Sequence, residues 1–500
     1  MKLVDHIAVL PVLLPFLAAI LLILPPLQGR IQWQRSFAIA ANLLLLIISV
    51  WLLVTINNQG IQVYALGNWQ APFGISLVAD TMAALMLLLT SVLGLSAHLY
   101  ACAGDDARGS FFHPLFMFQL MGINGAFLTG DAFNMFVFFE ILLIASYALM
   151  IHGGGKQRTQ ANIHYVFLNL IGSTLFLFAL GTLYGTLGTL NFADMADRVA
   201  YLPTEQLPLA KAGGLLLLAI FGLKAALLPL QFWLPRTYSA ATPAVAALFA
   251  IMTKVGIYSI WRIHGVIFGE QAGELANMAQ AWLWPLAFLT LAMGCIGVLA
   301  SQSLRLLVAN LVIISVGTLL MAVAINTEQT TAAALYYLIH STLVAAALFL
   351  IAGIVQQLRG KAEDRFVTAR KIAKPAFIGT CFFIAALTVI GMPPFSGFVG
   401  KALLLKSTID QPQMAWFWGA ILIAGLISLV TLARAGTTLF WRSQGNQVTS
   451  ESTPALQIVG VVILLACFPL LVAFGGPVTE LTQQAAAQLY QGITLTAGAM

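Results

Sequence analysis

Apolar stretches of about 20 residues recur along this chain from near Ile7 to near Phe474, and no hydrophilic segment between them is long enough to fold by itself. A helix of that length matches the roughly 30 Å hydrocarbon layer of a bilayer, so water is not the main solvent of this chain. Composition agrees, with 60% of the 500 residues hydrophobic and 8% charged, against about a quarter charged in a soluble domain. The length criterion predicts an all-α polytopic membrane protein, a single domain over residues 1–500, with about fourteen transmembrane helices. The spans fall at 7–27, 36–56, 78–100, 112–129, 132–150, 162–185, 207–232, 242–262, 278–300, 305–326, 330–356, 375–408, 414–440 and 455–474. The first is expected to be a retained helix and not a signal peptide, because no small-residue cleavage site follows it and it ends at Pro25 and Pro26.

Charge then orients the helices. With the N-terminus outside, fifteen basic residues fall on the inner side, from Arg30 and Arg35 through Lys156, Arg158 and the 359–374 segment to Arg434 and Arg442. The outer side receives Lys2, Arg198, Lys211, Arg262 and Lys406, with most of the loop acids. The positive-inside rule predicts both termini outside the cytoplasm. The net charge of +6 thus has a topological explanation, and no basic run interleaved with aromatics points to nucleic acid.

Three lysines remain inside spans: Lys224 in GLLLLAIFGLKAALLPL, Lys254 in ALFAIMTKVGIYSIW and Lys401 in VIGMPPFSGFVGKALLL. Among acids, Glu140 sits in the middle of MFVFFEILLIASYALM, and Asp80 lies near the outer end of the third span. A charged residue at the bilayer centre costs about 3 kcal/mol on insertion scales, so each needs a partner or water. Burial favours the neutral form of a lysine and a nearby carboxylate favours the charged form. A Glu140–Lys224 ion pair that opens and closes would therefore pass a proton toward Lys254, the elementary step of a relay. His340 lies mid-span and fits the same path, while His264 and His164 lie nearer span ends as accessory candidates, with Asp80.

Prolines mark two of these helices. Pro229 and Pro235 follow Lys224, and Pro393 and Pro394 precede Lys401, so both spans are expected to break near the middle of the membrane. Interrupted helices in two halves of a chain are the sequence sign of inverted-repeat transporters. Gly181, Gly185 and Gly188 suggest close helix packing. The HGGGK stretch from His152 to Lys156 lacks phosphate-loop spacing, and no HExxH, Cys/His cluster or GxSxG occurs, so no metal or other cofactor is expected. The four scattered cysteines are expected to be buried structural thiols.

FFEILLIASYALM around Glu140, the segment from Gly222 to Gly256, LRLLVANLVIISVG from Leu304 to Gly317 and GMPPFSGFVGK from Gly391 to Lys401 together resemble one family. This is the antiporter-like membrane subunits shared by respiratory complex I, membrane-bound hydrogenases and multisubunit Mrp cation/proton antiporters. The resemblance covers nearly the whole chain and implies a fourteen-helix fold with broken helices 7 and 12. It also implies two inverted five-helix repeats, at approximately 112–262 and 278–440. By that likeness Glu140 and Lys224 form the coupled pair, Lys254 is the central lysine, His340 the histidine of helix 11 and Lys401 the terminal lysine. Many relatives carry a lysine four residues after that histidine, where this chain has Val344. The pattern looks most like the D-type subunits of Mrp complexes. It implies no cofactor, partner subunits in a hetero-oligomeric complex of a bacterial inner membrane, and exchange of Na⁺ or K⁺ for H⁺. A redox-driven pump subunit of a complex I-like or hydrogenase assembly is the alternative.

Overall fold

A computed structural model describes residues 6–372, 374–448 and 453–491; Lys2 and the extreme termini lie outside them. The helices are α1 (Leu10–Ile23), α2 (Ile31–Gln59), α3 (Thr81–Ala101), α4 (Phe112–Leu128), α5 (Ala132–Ile151), α6 (Lys156–Leu187), α7 (Phe192–Val199), α8 (Leu207–Ala225), α9 (Trp233–Ala240) and α10 (Pro243–Phe249). They continue as α11 (Met252–Ile260), α12 (Gln280–Ala300), α13 (Leu304–Ile325), α14 (Glu328–Arg359), α15 (Pro375–Ile390), α16 (Ser396–Lys406), α17 (Met414–Gly436), α18 (Ala455–Ala473) and α19 (Gly475–Gln491). Four short strands form two small sheets between helices, an antiparallel pair of β1 (Gln62–Ala65) and β2 (Ser76–Ala79) and a parallel pair of β3 (Ala369–Lys371) and β4 (Ser443–Val448). The protein is helical throughout its apolar body, as its composition requires.

Eleven helical segments among the described residues are long and apolar enough to cross a membrane. α1 and α15 are apolar but shorter, and α4 has 17 residues. The centre of the bundle is formed by α3, α10 with α11, α13 and α14. The apolar windows of the last two helices are 94% buried, against 39% for α2 and α6 and 33% for α18. The outer helices present Leu, Ile and Phe outward, which is stable only where the surrounding medium is as apolar as those side chains. Helix starts inside the bundle are capped by side chains: Asp80 accepts from the Ala83 amide at 2.8 Å, Asp131 from Asn134 at 2.7 Å, and Thr327 with Thr330 closes a capping box on α14.

Several sequence expectations change here. Hydropathy carries the seventh span to residue 232, but α8 stops at Ala225, because Ala226 takes a left-handed conformation (φ +64°) and the Leu227 amide turns back to the Gly222 carbonyl at 2.7 Å. Pro235 does not break a helix; it sits in the first turn of α9, where no backbone donor is required. The twelfth span breaks at residues 391–395, around Pro393 and Pro394, as its prolines predict. The eighth span is also interrupted, at residues 250–251, and passes into a π-helical segment at Trp261–Ile267; no proline marks either irregularity. Gly181 and Gly185 meet no other element among the described residues of this chain, and Gly188 takes the left-handed conformation (φ +69°) that ends α6. Amphipathic α19, beyond the last predicted span, packs on α14 and α3.

At the end of α3 the structure assembles a buried chain from residues that hydropathy places at span borders. Arg35 grips Asp106 through two hydrogen bonds of 2.7 and 2.8 Å, His113 Nε2 lies 3.1 Å from the same carboxylate, His98 Nε2 lies 2.7 Å from His113 Nδ1, and Asn42 Nδ2 reaches His98 Nδ1 at 3.2 Å. With Asp106 ionised, His113 must donate to it, which fixes the tautomer of each ring in turn. Burial pushes the Asp106 carboxyl up, but the hydrogen bonds from Arg35 and His113 outweigh it and hold the group below the ordinary carboxylate range, at about 2. A depressed folded-state value contributes stability above the unfolded value of about 4 and loses it as pH falls toward the folded one. Asp106→Asn is therefore expected to lower the melting temperature of the detergent-purified protein by several degrees at pH 7. The gap to the unaltered protein should narrow steadily from pH 4 downward, and a pH-independent gap would contradict the assignment.

Candidate functional site

Each intramembrane lysine lies at or beside a helix interruption. Lys224 is the penultimate residue of α8, with the broken end held by the Trp233 indole, which donates to the Leu223 carbonyl at 3.0 Å. Lys254 is the third residue of α11, just past the turn at 250–251, and is fully buried. Lys401, on α16, reaches back across the second break and donates to the carbonyls of Val389 and Ile390 at 3.1 and 2.7 Å. Those carbonyls end α15, where the helix dipole favours a cation. At the second break, interruption thus leaves backbone oxygens free to accept from the ammonium.

The partners of the lysines are neutral oxygens. Lys224 Nζ donates to Asn169 Oδ1 at 2.9 Å and Lys254 Nζ to Ser315 Oγ at 3.3 Å, while Lys401 uses the two carbonyls above. Among the described residues no carboxylate forms a salt bridge with any of the three. The direct Glu140–Lys224 ion pair expected from sequence is therefore not formed. Glu140 on α5 instead accepts a short hydrogen bond from Ser173 on α6. Sequence reasoning misses Asn169 and Ser173; the available signal is two polar residues four apart in an apolar helix.

The second half carries a small internal cavity of about 40 Å³ lined by Ser315, Thr318, His340, Val344, Lys401 and Ser428, among others. It is large enough for water, which needs roughly 10–15 Å³ per molecule and polar partners. Ser315, the partner of Lys254, lines it together with His340 and Lys401, so the central lysine lies one side chain away from a cavity that the histidine and the terminal lysine share. His340 Nδ1 lies 3.1 Å from Ser396 Oγ at the start of α16. Val344, where many relatives carry a lysine, lines the same cavity. In the first half, α8 and α11 approach so closely that a Cβ at Gly256 would stand 2.7 Å from the Ala225 amide nitrogen, which brings the helices of Lys224 and Lys254 together.

The accessory candidates separate. Asp80 caps α3 and is locked to Arg262, with contacts of 2.6 and 2.7 Å, and Arg262 also donates to Tyr258, whose hydroxyl reaches the Phe127 carbonyl at 2.5 Å. Arg262, expected at the outer edge of the eighth span, lies in the π-helical segment that continues that span to Ile267. His264 is buried and its Nε2 lies 2.9 Å from the Gly214 carbonyl of α8. His164 lies on the exposed face of α6, away from both Glu140 and Lys224.

Fold and site together define a multi-pass membrane protein of the transporter class, with amines held at helix interruptions and a carboxylate at mid-helix. The family described as NADH:quinone oxidoreductase/Mrp antiporter, TM, matches residues 129–429, and the chain belongs to it. It is 40% identical to the D-type subunit of the probable K(+)/H(+) antiporter of Rhizobium meliloti (strain 1021), over 98% of this chain and 96% of that one. It is 39% identical to the D-type subunit of the Na(+)/H(+) antiporter of Bacillus subtilis (strain 168), over 87% of each. Among solved structures, a chain of the Mrp complex from Dietzia sp. DQ12-45-1b superposes with a TM-score of 0.85 at 26% identity, covering 98% of both chains.

Removing one partner of a buried ion pair leaves an uncompensated charge at a cost of about 3–5 kcal/mol. Arg262→Gln is expected to reduce assembled protein in the membrane sharply, and the double change Asp80→Asn with Arg262→Gln to restore most of it. Immunoblotting of solubilised complex on native gels checks this, and a double variant as poor as the single one would show that the pair is not the reason.

Proposed function

We propose that this chain is the proton-translocating D-type subunit of a multisubunit Na⁺(K⁺)/H⁺ antiporter, with Glu140, Lys224, Lys254, His340 and Lys401 as its relay. The observation that carries the reading is the set of three intramembrane lysines that, among the described residues, donate to neutral oxygens. An ammonium held by a carboxylate is fixed in the charged state, whereas one held by an amide, a hydroxyl or a peptide carbonyl can lose its proton without leaving a buried anion behind. A proton released by Lys254 passes through Ser315 and water in the adjoining cavity to His340 and on to Lys401. Asp80, His264 and His164 are at most accessory on this reading. Val344 in the cavity wall leaves His340 as its titratable group between the two lysines.

The helix order supports two structural repeats. In each half three whole helices, α4, α5 and α6 or α12, α13 and α14, precede a broken fourth element, the α8–α9 or α15–α16 pair; the fifth element is interrupted in the first half (α10–α11) and whole in the second (α17). The excess of inner basic residues supports termini outside the cytoplasm and a bacterial inner-membrane location. Named relatives are subunits of K(+)/H(+) and Na(+)/H(+) antiporters, and a solved relative is part of an Mrp complex, which supports assembly with other subunits. Glu140 also lies on the outward stripe of α5 with the exposed Phe133, Val137 and Ile144, a stripe suited to cover by a neighbouring subunit.

The test is dye-monitored antiport in everted vesicles carrying the whole complex, with Na⁺ and K⁺ added separately. Glu140→Ala and Lys224→Ala are expected to reduce exchange to background with the complex still assembled, and Lys254→Ala and Lys401→Ala to do likewise. Normal exchange in all four variants removes the relay, and co-purification of iron–sulfur subunits moves the chain to a redox-driven assembly.

A further inference from the structure

Between Glu140 and Lys224 stands a single face of α6. Ser173 donates to the Glu140 carboxylate, and one turn earlier Asn169 accepts from Lys224 Nζ at 2.9 Å. Residues four apart on a helix lie on one face, so one helix holds both members of the pair. Both residues are buried. The Asn169 amide is not free to turn over, because its Nδ2 donates to the Tyr165 carbonyl at 2.8 Å, which leaves Oδ1 aimed at the lysine. Tyr165 is itself fixed, by a 2.9 Å hydrogen bond to Ser146 on α5 and by stacking on Trp233, the side chain that caps the broken end of α8. Gly172, between the two polar residues, permits the approach: a Cβ there would stand 2.8 Å from Leu223 and 3.9 Å from Lys224 Nζ.

We propose that Asn169 and Ser173 are positioning residues that keep the carboxylate and the ammonium in separate hydrogen bonds and so make their contact a distinct, transient state. This rests on the relay reading above. A hydroxyl and an amide oxygen suit the task because each satisfies one charge without a charge of its own. When Lys224 leaves Asn169 for Glu140, the amide oxygen is free to take a water, and when it returns, Glu140 recovers the Ser173 hydroxyl. No proton is gained or lost by Asn169 in the exchange, whereas a carboxylate in its place would compete with Glu140 for Lys224 and slow its transfer.

Antiport rates across a pH series in everted vesicles with the intact complex test this. Asn169→Leu, Asn169→Asp and Ser173→Ala are each expected to slow exchange roughly tenfold, the scale of losing or misplacing one hydrogen bond to a charged group. Ser173→Ala should also change the pH profile, and Ser173→Thr, which keeps the hydroxyl, should restore both rate and profile. If Asn169→Leu fails to assemble, Asn169→Asp decides: slowed exchange supports the role and an unaltered rate overturns it. Unaltered rates and profiles for the α6 variants, with Glu140→Ala and Lys224→Ala inactive, overturn the positioning role alone. If the latter two are also unaltered, the relay itself falls.

Discussion

The rest of the structure depends on how an ammonium is kept inside an apolar bundle without a counter-ion. Several arginines, always charged, take carboxylates, Arg35 with Asp106, Arg262 with Asp80, Arg305 with Asp364 and Glu363, while Arg359 is held by three peptide carbonyls. Lysines, which can exist neutral when buried, take an amide, a hydroxyl and two peptide carbonyls. The ion pairs hold helix ends together at fixed charge, and the amines stay able to change theirs. Exchanging the two kinds of cation would lose both properties, since an arginine at position 224 would remain charged and a lysine at 262 could not span Asp80 and Tyr258 with a planar fork.

Helix interruption follows from the same need. An unbroken helix consumes its carbonyls internally and offers a buried amine nothing. Ending α15 at Ile390 frees two of them for Lys401, and ending α8 at Ala225 sets Lys224 beside a turn closed from outside by Trp233. The breaks are nonetheless well satisfied. The Leu228 amide, past the end of α8, reaches Thr290 of α12 at 2.9 Å, so the irregular backbone lies where protein, and not lipid, meets it.

What can be read from the sequence is whatever breaks a periodic or compositional rule. Charged residues in apolar spans name themselves, which is how Glu140, Lys224, Lys254 and Lys401 stand out, and Pro393 with Pro394 locate the second break. Proline places the first break too late, because Pro229 lies in the middle of the irregular segment and the turn is made earlier, by Ala226. The interruption before Lys254 has no proline to announce it. Asn169 and Ser173 are ordinary residues for a membrane helix, and only the approach of α8 gives them a charge to contact. Asp106, His113 and His98 look like loop-border residues because their burial is produced by α2 and Arg35, far away in the chain. Arg262 reads as an outer residue for the same reason: hydropathy puts it at a span end, and its partner, Asp80, is 182 positions away.

The outward stripe of α5 bears on how such a protein is made. Phe133, Val137 and Ile144 can meet acyl chains at no cost, but Glu140 among them cannot, and a chain released alone from the insertion machinery would carry that carboxyl toward lipid, protonated or dragging water with it. A neighbouring subunit that covers the stripe would remove that cost, so assembly and the placing of this carboxyl are one event.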